Sequence, residues 1–174
     1  MKIEIAQTAK YMDQYNRWTH RVEFVTEQLL SRIKKDFEIP DFTKILIRPI
    51  RSKRIGPVYG QAYLDKVELD CRVFNVWSIA DTLAHEFTHV EQKQTGRLIY
   101  QSGINFWKTS QNVSSFKTSE VKTFNDYQNL PWEIEARERG KKFCQDHIFH
   151  INEIENAINS GSVLPYKARI QRKK

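Results

Sequence analysis

Cysteine is nearly absent: Cys71 and Cys144 are the only two in 174 residues. That excludes a disulfide-stapled scaffold and a Cys-rich zinc ribbon, so any metal must be held mainly by histidine and carboxylate. Long apolar runs are also missing. No stretch suffices to cross a bilayer, and Met1-Lys2-Ile3-Glu4-Ile5-Ala6-Gln7 lacks the apolar segment of a signal peptide, so the expectation is a cytoplasmic protein with no membrane partner. Internal repeats and low-complexity segments are absent as well. What is present is ordinary for a folded chain, with 40% hydrophobic and 12% aromatic residues and a length suited to one domain. We expect a single domain over 1–166 and a basic tail over 167–174.

The net charge of +7 is high for this length. Basic residues gather only at Arg51, Lys53, Arg54 and in the tail at Lys167, Arg169, Arg172, Lys173 and Lys174. Such tails are more often solvated ends than readers of a groove, so nucleic acid is a weaker expectation than a soluble, self-repelling surface.

The pattern predicts an α+β fold. Tyr11, Tyr15, Trp18, Val22, Val25, Leu29 and Ile33 recur in steps of three and four, one face of a helix from about Gln7 to Asp36, closed by Pro40. Ile45-Leu46-Ile47 reads as a buried strand, and Gly56-Pro57 as a break. Val58 to Val73 reads as a strand pair turning at Asp65-Lys66, with alternation through Val67, Leu69 and Cys71. Ser78 and Asp81 have capping-box spacing and predict a helix start there. That helix buries Ile79, Leu83, Phe87 and Val90 and stops near Gly96. Gln101 to Asn129 is polar, with single aromatics at Phe106, Trp107, Phe116 and Phe124, and is expected to be a flap. Those aromatics either touch a substrate or anchor the flap. Pro131 suits the first turn of a helix running to Ile148, and a last amphipathic helix follows from about Ile151 to Ile158, with Gly161 and Pro165 beyond.

The chemistry lies in His85-Glu86-Phe87-Thr88-His89. Two histidines four apart project from one helix face and can converge on a tetrahedral cation. Glu86, turned by about 100° from His85, stays off the metal but near an open coordination position, where a general base belongs. A third ligand is needed, and no third histidine sits a few residues beyond Gly96. On the helix from Pro131, Glu133 shares a face with the small residues Ala136, Gly140 and Cys144. Glu135 lines up with Glu138, Arg139 and Lys142 on a charged face. Glu133 is therefore the expected ligand. Other groups fit less well. His147 and His150 lack an acidic or cysteine partner at useful spacing, His20 reads as a surface or packing residue, and Cys144 reads as a buried, inert thiol.

Leu83 to Gln92, followed by Pro131-Trp132-Glu133-Ile134-Glu135-Ala136, resembles the gluzincin metallopeptidases, and most closely the minimal zincin-like domains of bacteria and phages. The likeness covers about sixty residues, from Ser78 to Cys144. It implies a zincin-like domain, Zn2+ on His85, His89 and Glu133, and a peptide or protein substrate. It also implies hydrolysis by a zinc-activated water with Glu86 as general base, and a peptide laid along the strand pair near Tyr59 to Val73. A virion or the cytoplasm of a phage-infected host becomes a second expected location. Tyr127, just before the ligand helix, is a candidate oxyanion donor; an ordinary packed tyrosine is the alternative. One departure stands out: many gluzincins carry an acidic residue four positions after the ligand Glu, and this chain has Arg137. Support for the histidines must come from elsewhere, with Asp81 and Asp70 as candidates. The competing expectation is a basic nucleic-acid-binding or virion-associated structural protein on a zincin scaffold, with little or no catalysis.

Overall fold

The computed structural model describes residues 2–5, 12–39, 43–50, 59–73 and 75–161; for 2–5 and 12–18 it describes the backbone alone. Several expectations fall outside that set: those at Tyr11, Pro40, Gly56-Pro57 and Val58, the basic residues Arg51, Lys53 and Arg54, the side chains of Tyr15 and Trp18, Pro165 and the basic tail. In order, the elements are β1 (Lys2–Ile5), α1 (Met12–Asp36), β2 (Lys44–Arg48), β3 (Gly60–Ala62), β4 (Lys66–Asp70) and α2 (Val76–Gln94). Then come β5 (Leu98–Gln101), β6 (Ile104–Lys108), β7 (Val113–Lys117), a 3-10 turn (Thr118–Glu120), α3 (Phe124–Gln128), α4 (Pro131–Asp146) and α5 (Ile148–Asn159). The α+β expectation holds. None of the described helices is long and apolar enough to cross a membrane.

The first sheet has the order β1-β2-β4-β3. β1 and β4 flank β2 in parallel, Ile3 opposite Ile45 and Ile47 opposite Leu69, and β3 pairs antiparallel with β4. The strand pair and its turn were legible; β1 was not, because its partner lies some forty residues away in sequence. Val22, Val25, Leu29 and Ile33 of α1, Ile45 and Ile47 of β2, and Val67 and Leu69 of β4 close on Ile79, Leu83, Phe87 and Val90 of α2 in one core. The period of 3.6 in the helices and of 2 in the strands thus meets in a single apolar layer.

Alternation in β4 does not expose its second face. Glu68 and Asp70 are also buried, each 1% exposed, because cations cover them: Arg48 Nε at 3.1 Å and Lys66 Nζ at 2.9 Å on Glu68, Arg72 Nε at 2.9 Å on Asp70. Burial alone would raise the Glu68 pKa, and the hydrogen bonds and charges of Lys66 and Arg48 hold it below the usual range.

α2 begins earlier than the capping-box spacing predicted. Asn75 is the N-cap, its side-chain oxygen accepting from Trp77 N at 2.8 Å and Ser78 N at 3.3 Å. That leaves Asp81 free to face α4. The helix ends at Gln94, and Gly96 takes the left-handed φ of 68° that completes the stop.

The expected flap is a three-stranded antiparallel sheet, β5-β6-β7, followed by the 3-10 turn and α3. The β5–β6 turn is Ser102-Gly103, both with positive φ (50° and 81°), the backbone that matches the strand twist in a tight hairpin. Trp132, at the start of α4, anchors this sheet: its ring meets Trp107 at 6.3 Å and Phe116 edge-on at 5.3 Å. For these two aromatics, anchoring is the role found. Phe124 remains 41% exposed.

Candidate metal centre

α2 and α4 pack closely because α4 offers a small residue where they meet. A Cβ on Gly140 would lie 2.5 Å from Asp81 Oδ1 and 3.2 Å from its backbone oxygen. That approach brings Glu133 on α4 to His85 and His89 on α2. His85 Nε2 lies 3.3 Å from Glu133 Oε2, His89 Nε2 lies 3.3 Å from Glu133 Oε1, and the two Nε2 atoms are 3.1 Å apart. Among the described residues this is the one His/Cys/Asp/Glu group able to hold a metal ion. Glu135 points elsewhere, forming a bidentate pair with Arg97 Nη1 at 2.8 and 2.9 Å.

The tautomer of His89 follows from its neighbours. Gln92 Nε2 donates to the Trp132 carbonyl at 3.2 Å, which turns Gln92 Oε1 toward His89 Nδ1 at 2.8 Å. An amide oxygen only accepts, so Nδ1 carries the proton and neutral His89 directs a lone pair from Nε2 into the triangle. A lone pair there faces another imidazole nitrogen and an anionic carboxylate, an arrangement that needs a cation or a proton at its centre. Metal bonds of about 2.1 Å in tetrahedral geometry put ligand atoms about 3.4 Å apart. The two Nε2 atoms, 3.1 Å apart, come within a few tenths of an ångström of that, as does each Nε2 to one oxygen of Glu133 at 3.3 Å, so these residues fit a metal.

The charges around the triangle pull the same way when His89 is protonated. Burial disfavours charged His89, yet the hydrogen bond and charge of Glu133 raise its pKa. Burial would likewise raise Glu133, but hydrogen bonds from His85, His89 and Tyr127 and the charge of His89 hold it well below the carboxylate range. Glu86 is buried on the β3 side. Its pKa is raised by desolvation and by Glu133, against the opposing charges of His89 and His85. A Cβ on Gly60 would fall 2.5 Å from Glu86 Cγ and 2.7 Å from Oε1, so glycine is what allows the strand to lie against this carboxylate.

Tyr127 on α3 reaches the same place. The residue is 37% exposed, and desolvation of its hydroxyl, together with the charge and hydrogen-bonding pull of Glu133, raises its pKa far above normal. Arg137 explains how that helix is held: its Nη2 donates to the Gln128 carbonyl at 2.6 Å, next to Tyr127. The position where the resembled family often has an acid thus ties α3 to α4 instead.

Neither expected supporting carboxylate hydrogen-bonds a histidine here. Asp70 is occupied by Arg72 and the Ile50 amide. Asp81, one turn before His85, feels that imidazole's charge while burial raises its pKa. The residue that supports a histidine is Gln92, whose place three residues after His89 was the available signal. His147 and His150 are not a metal pair: His147 Nε2 lies 2.6 Å from Asp36 Oδ2, and His150 Nε2 lies 3.1 Å from the Gln28 carbonyl oxygen, both on α1. His20 Nδ1 lies 3.1 Å from Glu23 on the same helix. Cys144 is half-buried, its thiol pushed up to about 12 by desolvation and by Asp81. No family model, curated protein or solved structure matches the chain.

Proposed function

We propose that the chain is a zinc-dependent metallopeptidase of gluzincin type, with His85, His89 and Glu133 as metal ligands and Glu86 as general base. The observation that carries this reading is the triangle of two imidazole nitrogens and a carboxylate at metal-ligand spacing, with a buried, unligated carboxylate beside it. Two nitrogens and one oxygen suit zinc, and three protein ligands leave the open position a catalytic site requires. Bound zinc supplies Lewis acidity toward a carbonyl and lowers the pKa of water.

The chain's own groups do the rest. Glu86 accepts the proton of the attacking water and delivers it to the leaving amine, and desolvation raises its pKa above the ordinary carboxylate value, which favours uptake of that proton. The Tyr127 hydroxyl, which feels the Glu133 carboxylate, would donate to the oxyanion. Gln92 keeps His89 in the ligating tautomer. β3 lies at the edge of its sheet against Glu86, and in this reading an extended peptide is laid along the strand pair.

The test is a peptide-library digest by the wild type and Glu86→Gln. Glu86→Gln retains zinc and loses about 10²- to 10⁴-fold in turnover. Undiminished cleavage by that variant contradicts the mechanism.

A further inference from the structure

The second sheet ends on an open strand. Thr109 N donates to the Asn112 carbonyl at 2.8 Å and Thr118 N to the Gly103 carbonyl at 2.9 Å, one at each end of the β6–β7 ladder. Bonding alternates along an antiparallel ladder, so Asn112, Ser114, Phe116 and Thr118 turn their N–H and C=O groups toward β6. Val113, Ser115 and Lys117 turn theirs away from it. β7 is the outer strand of its sheet, and among the described residues no hydrogen bond reaches those outward groups. All three residues are exposed, Val113 at 64%.

Such an edge is a template for another strand unless something blunts it. Residues 113–117 contain no proline and a single charge, Lys117, and they pair with β6 without a bulge from Val113 opposite Lys108 to Lys117 opposite Ile104. The strand is also held in extended form from behind, where Phe116 meets Trp132 edge-on at 5.3 Å, so it loses little freedom on docking. Val113, Ser115 and Lys117 share the other face with Ile99, Ile104 and Phe106, none of which belongs to either core cluster. A strand added at β7 extends that apolar face.

The edge fits a second copy of itself. Two β7 strands paired antiparallel about a two-fold axis use all three outward residues only when the axis lies at Ser115. Ser115 then opposes Ser115, and Val113 opposes Lys117 on either side, each pair exchanging both of its hydrogen bonds. Lysine faces valine, so no like charges are opposed, whereas an axis at Lys117 would set two ammonium groups face to face.

We propose that the chain self-associates through β7, two copies joining their second sheets into one continuous sheet about a two-fold axis at Ser115. The inference is independent of the peptidase reading. Three outward residues on each copy bury less than the roughly 1,200 Å² of a stable pair, and each copy carries a net charge of +7. The dimer is therefore reversible and tightens as salt screens that charge.

Sedimentation velocity of the full chain at about 0.15 M salt, over about 10 to 500 µM protein, reads the association. The expected result is a monomer–dimer equilibrium. Val113→Glu places a carboxylate opposite Lys117 on both sides of the axis and tightens the dimer about 2- to 30-fold, and Val113→Lys weakens it by as much. The same two changes at Gln145, exposed on α4, have no such effect. Ser115→Pro removes an amide that bonds nothing within its own sheet and gives a folded monomer. Ser115→Cys forms a disulfide-linked dimer on mild oxidation, its paired Cα atoms standing about 5.5 Å apart. The wild type, with Cys71 buried and Cys144 half-buried, does not. A chain that stays monomeric over this range, as one whose β7 takes a foreign strand would, overturns the inference. So does a dimer that ignores both charges at Val113 and does not cross-link through Ser115→Cys; these variants decide the matter even where Ser115→Pro fails to fold.

Discussion

The amide of Gln92 has its nitrogen on the Trp132 carbonyl and its oxygen on His89 Nδ1, so one side chain fixes both a helix contact and an imidazole tautomer. Gln92→Ala should weaken zinc about 10- to 100-fold while leaving the fold intact, read by competition with a chromogenic chelator; unchanged affinity would mean His89 needs no such support. Tyr127 is the second residue whose role turns on one atom. Tyr127→Phe keeps the ring and removes the donor, and should cost about 10²- to 10³-fold in turnover with metal content unchanged. Equal turnover would leave Tyr127 as a packing residue. Of these two, the sequence singled out Tyr127, through its place before Pro131. Gln92 was passed over because a neutral amide does not advertise itself as a metal-site residue.

Among the elements, α2 and α4 were legible because each carries a strong period and a local stop or start signal, and their shared site followed from face arithmetic on Glu133 and the small residues Ala136 and Gly140. Ends were read less well. Asn75 caps α2 where Ser78 was expected, since both residue types cap helices and only the backbone decides which does. The 101–129 region hid a sheet behind a polar composition, although Ser102-Gly103 carried a hairpin signal. β3 has just three residues and depends on its glycine. Gly60→Val would drive a branched side chain into Glu86 Cγ and Oε1, so activity should fall at least about 100-fold (about 3 kcal/mol). Zinc should remain, because the proposed ligands lie on α2 and α4. Wild-type turnover in Gly60→Val would show that the strand does not lie against the base during the reaction.

For the molecule as a whole, a metal held by His85, His89 and Glu133 would join α2, a helix of the main core, to α4, which also anchors the second sheet through Trp132. Filling the site therefore stabilises the arrangement by mass action: at a thousandfold excess of free zinc over Kd the gain is about 4 kcal/mol. Chelation should lower Tm by several degrees, and zinc, once restored, should return it, followed by calorimetry. A Tm indifferent to chelation would mean that the triangle is satisfied by protons.

Zinc stoichiometry in protein purified without added metal tests the centre most directly. The account predicts close to one equivalent in the wild type and in Glu135→Ala, whose side chain serves Arg97, and loss of metal in His85→Ala and Glu133→Ala. Metal-free wild type that takes up no zinc on titration, or zinc that survives Glu133→Ala and disappears in Glu135→Ala, would contradict it.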